Sequence, residues 1–105
     1  RIFIFSGREL KAYTDTVSWL AEHCPNTVEA FEVGILSLHM RPNNQPGINA
    51  ERDDIVKSRL YTEQVKDKYH VVAVFDDRKQ VVVNVWGPKG FGLPLFRVGD
   101  PEADF

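Results

Sequence analysis

Val71-Val72-Ala73-Val74-Phe75 is a continuous apolar run, and Asp76-Asp77 follows it at once. A strand that is apolar on both of its alternating sides predicts cover on both sheet faces, which is the usual setting of a parallel strand. Upstream, Arg1-Ile2-Phe3-Ile4-Phe5 predicts a second buried strand, ended by Ser6-Gly7. Residues 35–38 and 95–98 predict two more short strands. Between them lie helical patterns. Leu10, Tyr13, Val17 and Leu20 recur at helical spacing within residues 9–23, and Pro25-Asn26 stops that helix. Ile55, Val56, Leu60 and Val65 form the apolar side of a helix over 53–68, with Asp53 and Asp54 where the helix dipole favours acids. Residues 79–86 predict a short helix despite Val81, Val82 and Val83, and Gly87-Pro88 breaks it. Pro42 to Gly47 has strong loop chemistry.

Strand and helix therefore alternate along the chain, which predicts an α/β fold with a mainly parallel sheet. The 105 residues bound a single small domain, 1–105. No apolar run approaches the roughly 20 residues that span a bilayer, so no membrane partner is expected. The lone Cys24 excludes an internal disulfide and a cysteine-rich zinc site, and fits a reducing, cytoplasmic setting. A net charge of −2 argues against a long nucleic-acid track. Any nucleic-acid contact is expected at an end or a single phosphate.

In α/β sheets ligands bind beyond the carboxyl ends of the strands, so the polar residues there carry the functional expectations. Asp76-Asp77 supplies two adjacent carboxylates, suited to a hard cation such as Mg²⁺ or to a turn with a helix cap beside Arg78. Ser6-Gly7-Arg8 offers a hydroxyl, a pliable backbone and a guanidinium, which suit a phosphate cradle or a strand-to-helix turn. Lys57 lies four residues after Asp53, which fits a surface ion pair or an ammonium that stabilises charge on a transferring group. His39 at a strand end fits a proton shuttle less well than a structural or exposed role, His23 and His70 show no partner pattern, and Cys24 shows no sign of activation. Trp19 and Trp86 read as core.

Taken in order, these segments resemble motifs two, three and four of the haloacid-dehalogenase (HAD) superfamily. "FSGR", "LHMR", "RDDIVK" and "VFDDRKQVV…W" resemble more closely the 3′-phosphatase domain of phage-type polynucleotide kinase/phosphatases, and "GDPEADF" looks like that family's ending with residues inserted. The resemblance implies a HAD-like, Rossmann-like sheet with helices on both faces. It implies that Ser6 binds the phosphoryl group, with Gly7 and Arg8 at phosphate or nucleic acid. Lys57, oriented by Asp53, bridges nucleophile and phosphoryl oxygens. Asp76 and Asp77 hold Mg²⁺, while Arg41 and Arg78 support or contact substrate. The implied activity is Mg²⁺-dependent removal of phosphate from nucleic-acid 3′ ends through an aspartyl-phosphate.

The superfamily's nucleophile is the first Asp of an Asp-x-Asp motif, and no Asp-x-Asp occurs in the 105 residues. The resemblance puts that motif on a central strand between those ending at Ser6 and Asp76. The expectation is thus a C-terminal portion of the domain that lacks its usual central first strand and is inactive alone. An upstream segment or a second chain would supply the strand. Two other functions stay open: a catalytically inactive binding module, and a phosphatase for a small phosphorylated metabolite.

Overall fold

A computed structural model describes residues 1–42 and 51–100. Most of the loop expected over 42–47 and the end of the "GDPEADF" segment lie outside the described residues. The chain is a mixed α/β structure with parallel strands, and it divides into two compact units, Arg1–Ala50 and Glu51–Phe105.

The first unit opens with β1 (Ile2–Glu9) and a 3₁₀ turn, Leu10–Ala12, which leads into α1 (Tyr13–His23). After α1 come α2 (Thr27–Glu32) and β2 (Leu36–Arg41). The two strands pair in parallel, Ile2 opposite Leu36 through Ser6 opposite Met40. Ser6-Gly7 does not end β1. The ladder resumes with Glu9 opposite Arg41, so Gly7 and Arg8 bulge out without opposite numbers. A bulge keeps a strand paired across extra residues, and glycine eases the distortion. β2 is longer than expected for the same reason, because His39, Met40 and Arg41 find partners in β1. Leu36, Leu38 and Met40 are buried on one face, and Ser37, His39 and Arg41 alternate with them. The helix α2 has no counterpart among the sequence-based expectations. Its first residue, Thr27, donates its hydroxyl to the Cys24 carbonyl, and Gly34 follows its end at φ 77°, a left-handed conformation that suits glycine.

The second unit holds α3 (Asp53–Gln64), β3 (Val74–Asp76), α4 (Lys79–Val81) and β4 (Leu95–Arg97). The helix α3 stops four residues short of the expected 68, and Asp67 beyond it adopts φ 64°. Aspartate tolerates that left-handed conformation better than most residues, and it cannot continue an α-helix. Val56, Leu60, Tyr61 and Val65 face the core, where they join Val81, Val85 and Trp86. Full burial of such side chains stabilises by about 1.5–3 kcal/mol each. Ile55 was expected on the apolar side but is exposed.

β3 departs most from expectation. It pairs in parallel with β4 over only three positions, Val74 with Leu95, Phe75 with Phe96 and Asp76 with Arg97. Val72 is 78% exposed and Phe75 67% exposed, so the run is not covered on both faces among the described residues. The strand extends only as far as β4 gives it hydrogen-bond partners.

The helix expected over 79–86 is present but changes type. After α4 it continues as a π-helical turn, Val82–Trp86, in which the Gly87 N–H donates to the Val82 carbonyl at 2.8 Å. The chain then wraps tightly over the end of this turn. A Cβ on Gly90 would meet the Val85 carbonyl oxygen and lie 2.6 Å from that of Asn84. Gly90→Ala is expected to lower stability by about 1–3 kcal/mol, because backbone oxygens cannot rotate aside as a side chain can. Thermal unfolding beside an exposed control, Gly92→Ala excluded for its positive φ of 65°, measures this.

Candidate active site

The strand end of β3 carries a dense polar cluster. Asp76 is the last residue of β3, and both of its carboxylate oxygens are engaged. Oδ1 accepts the backbone N–H groups of Asp77 at 2.9 Å and Arg78 at 3.4 Å. Oδ2 accepts the Lys57 ammonium at 3.1 Å and the Trp86 indole N–H at 3.1 Å. Lys57 reaches this point from the second turn of α3. Its Nζ also lies 3.4 Å from Asp53 Oδ2, one turn earlier on the same helix. The outer guanidinium of Arg78 is 3.9 Å from that same Asp53 oxygen. The Lys57, Asp53 and Asp76 side chains are nearly buried, so this is not the solvated ion pair that the i, i+4 spacing also allowed.

Burial raises the pKa of Asp76, but the Lys57 charge, the indole N–H, the Lys57 hydrogen bond and the Asp77 N–H outweigh it. The net result holds the Asp76 carboxyl below its ordinary 3.8. A depressed folded-state pKa stabilises the fold above the unfolded value, and that contribution fades as pH falls through the folded value. Acid unfolding should therefore steepen below about pH 4. In Asp76→Asn this component should be missing, as unfolding followed by circular dichroism against pH will measure.

Asp77 follows with an exposed side chain, and its carbonyl accepts the Arg97 guanidinium Nε at 3.4 Å. Among the described residues no three of His, Cys, Asp and Glu gather into a metal cage. The available donors for a hard cation are carboxylate oxygens, with Asp77 the accessible one and Asp76 already saturated by four donors.

Two neighbours of this centre were not foreseen as functional. Trp86 was read as core, and it is buried, yet its indole N–H is spent on Asp76. Asp54 is also buried, and its Oδ2 accepts Arg52 at 3.0 Å and the Asn84 amide at 2.9 Å. The sequence signal for Trp86 was its place downstream in "VFDDRKQVV…W"; Asn84 carried none.

In the first unit, the remaining expected residues gather at the β1 bulge. Ser6 Oγ accepts the Arg8 backbone N–H at 3.2 Å. The Arg8 guanidinium reaches Thr16 Oγ1 on α1 at 3.3 Å. Arg41, on β2, donates its Nε to the Gly7 carbonyl at 2.8 Å. Arg41 thus braces the bulge that displays Ser6 and Arg8. His39 packs against the Phe3 and Phe5 rings, which also touch each other, and meets Ser37 Oγ at 3.0 Å, and burial lowers its pKa.

A Ser-Gly-Arg bulge, a basic helix residue between two acids and an Asp-Asp strand end follow one another along the chain in the order expected of a HAD phosphatase. The family described as "Polynucleotide kinase PNKP phosphatase domain" matches residues 1–105. The chain belongs to this family. Among relatives of this phosphatase-domain family, an inferred bifunctional polynucleotide kinase/RNA ligase of Autographa californica nuclear polyhedrosis virus is 31% identical over 85 residues. That match covers 81% of this chain and 10% of the viral protein. A chain in the structure of the Pnkp1/Rnl/Hen1 RNA repair complex superposes with a TM-score of 0.69 at 32% identity. It covers 93% of this chain and 27% of that one. The chain thus spans a small part of the relatives it matches. No helix among the described residues is long and apolar enough to cross a membrane.

Proposed function

We propose that this chain carries the phosphate-handling half of a phosphatase that removes the terminal phosphate from nucleic-acid 3′ ends. The observation that carries this reading is the Lys57 ammonium, nearly buried and held between Asp53 and Asp76 at a strand end. An ammonium has three donors. With two directed at carboxylates, one remains for an incoming phosphoryl oxygen, where a preorganised positive charge lowers the barrier most. Ser6 and Arg8 are read as phosphoryl and nucleic-acid contacts, with Gly7 giving the bulge its shape and Arg41 bracing it. Arg78, exposed beside Asp53, is read as a further contact to the substrate.

The donor set fits Mg²⁺, which commonly takes one or two carboxylates and completes its shell with phosphate oxygens and water. In this reading Asp77 would hold the ion and Asp76 would stand behind it. When bound, the ion would neutralise charge on the phosphoryl oxygens.

Phosphoryl transfer through the enzyme needs a nucleophile, and the family's Asp-x-Asp does not occur here. We read the 105 residues as one portion of a single phosphatase domain, with the nucleophile carried by residues outside them on the same or a second chain. Among the described residues each of the two ladders is two-stranded and has an outer edge on which such a strand can pair.

The test is phosphate release from a 3′-phosphorylated oligonucleotide by the full-length protein. Release that requires Mg²⁺ supports the reading. Binding of phosphorylated ends without release overturns it in favour of a non-catalytic module. Preferential turnover of small phosphorylated metabolites overturns the substrate assignment.

A further inference from the structure

We infer that Trp86 is a positioning residue for Asp76, acting through its indole N–H from the π-helical turn Val82–Trp86. The inference rests on reading the β3 strand end as a phosphatase centre. Trp86 is 4% exposed, so it is not a platform on which a base could stack. Its ring meets Tyr61 edge-on, with centroids 5.7 Å apart, and this fixes the direction of the N–H. A buried indole N–H needs an acceptor. Here the acceptor is the strand-end carboxylate at 3.1 Å, which makes the bond charge-assisted.

The geometry around Asp76 gives this bond its consequence. Lys57 and Trp86 share Oδ2, and the Asp77 and Arg78 N–H groups share Oδ1. The carboxylate plane is therefore set from four directions, and Trp86 is the one side-chain donor there that brings no charge. Asn84, from the same turn, holds Asp54 at the start of α3 at 2.9 Å. One π-helical turn thus anchors both the end of β3 and the beginning of the helix that carries Asp53 and Lys57. π-Helical turns often mark functional sites, and hydrogen-bonded outer partners orient the side chains of a site.

The test uses Trp86→Phe in the full-length protein, which keeps an aromatic ring and removes only the N–H. Phosphate release from a 3′-phosphorylated oligonucleotide is expected to fall about 10–100-fold in kcat, the range typical of such outer partners. The KM for the oligonucleotide should stay within about twofold, since the lost bond does not touch the nucleic acid. Against an Asp76→Asn background the same change should add no further loss, because the two residues act as a unit. NMR of the indole N–H gives a second readout that does not depend on activity. The Trp86 signal should exchange with solvent far more slowly than that of Trp19, which is 52% exposed, and it should move in Asp76→Asn. Equal losses in both backgrounds overturn the inference. So does an indole signal that exchanges as fast as that of Trp19 and ignores Asp76→Asn. If the unaltered protein releases no phosphate, the functional reading fails on its own and the NMR result decides the role of Trp86.

Discussion

Lys57→Met in the full-length protein is expected to lower kcat for phosphate release by about 10²–10³-fold, the usual effect of removing one preorganised donor from a developing negative charge. Methionine keeps most of the length and volume of the stem, so packing against α3 should survive. What disappears is the cation between two nearly buried carboxylates, with Asp53 Oδ2 at 3.4 Å and Asp76 Oδ2 at 3.1 Å. Left facing each other, those acids repel, and one of them should take up a proton nearer neutral pH. The variant should therefore lose activity and also show a raised carboxyl pKa by NMR titration. Binding of a 3′-phosphorylated oligonucleotide should weaken far less than kcat, because Ser6, Arg8 and Arg41 are untouched. An unchanged kcat counts directly against the catalytic reading of Lys57.

Trp86→Ala should be the most destabilising single change in the second unit, at about 3–5 kcal/mol for loss of a buried Trp ring. The side chain packs on Tyr61, which in turn lies 4.3 Å from the Phe91 ring, so the cavity would open inside one connected aromatic cluster. Trp86→Phe should cost about 1.5–3 kcal/mol, mostly for the missing charge-assisted hydrogen bond. Denaturant unfolding of both variants separates packing from hydrogen bonding. Near-equal losses would mean that the bond to Asp76, rather than the ring, carries the stability.

The candidate site was more legible in the sequence than the boundaries of the elements that carry it. Asp53 and Lys57 fall one turn apart on any helix, so their meeting is dictated by spacing alone. That Asp76 joins them depends on how β3 and α3 pack, which spacing does not reveal. The residues that stiffen the site were illegible for the same reason. Asn84 reaches Asp54 across thirty positions of sequence, and a buried Trp looks like any other core residue until its N–H acquires an acceptor. Strand lengths failed in a different way. The Val71–Phe75 run has strong strand character, but a strand is defined by its neighbours, and β4 offers only three pairs. In the opposite sense, Ser6-Gly7 looked like an ending because glycine weakens strands. The bulge there instead lets β1 continue to Glu9.

The π-helical turn also makes the site sensitive to counting. Each residue of an α-helix advances the chain by about 100° around its axis, so deleting one residue re-aims every side chain that follows. Val83 is partly exposed and looks dispensable by composition. Removing it would relax the turn to an ordinary helix, which spans about the same arc with one residue fewer, so Trp86 would keep its bearing on Asp76 while Asn84 moved off Asp54. Substitutions at position 83 should be tolerated, whereas a deletion there should break the Asn84–Asp54 bond and spare that of Trp86 to Asp76. In this segment the length of the chain is itself part of the active site's specification.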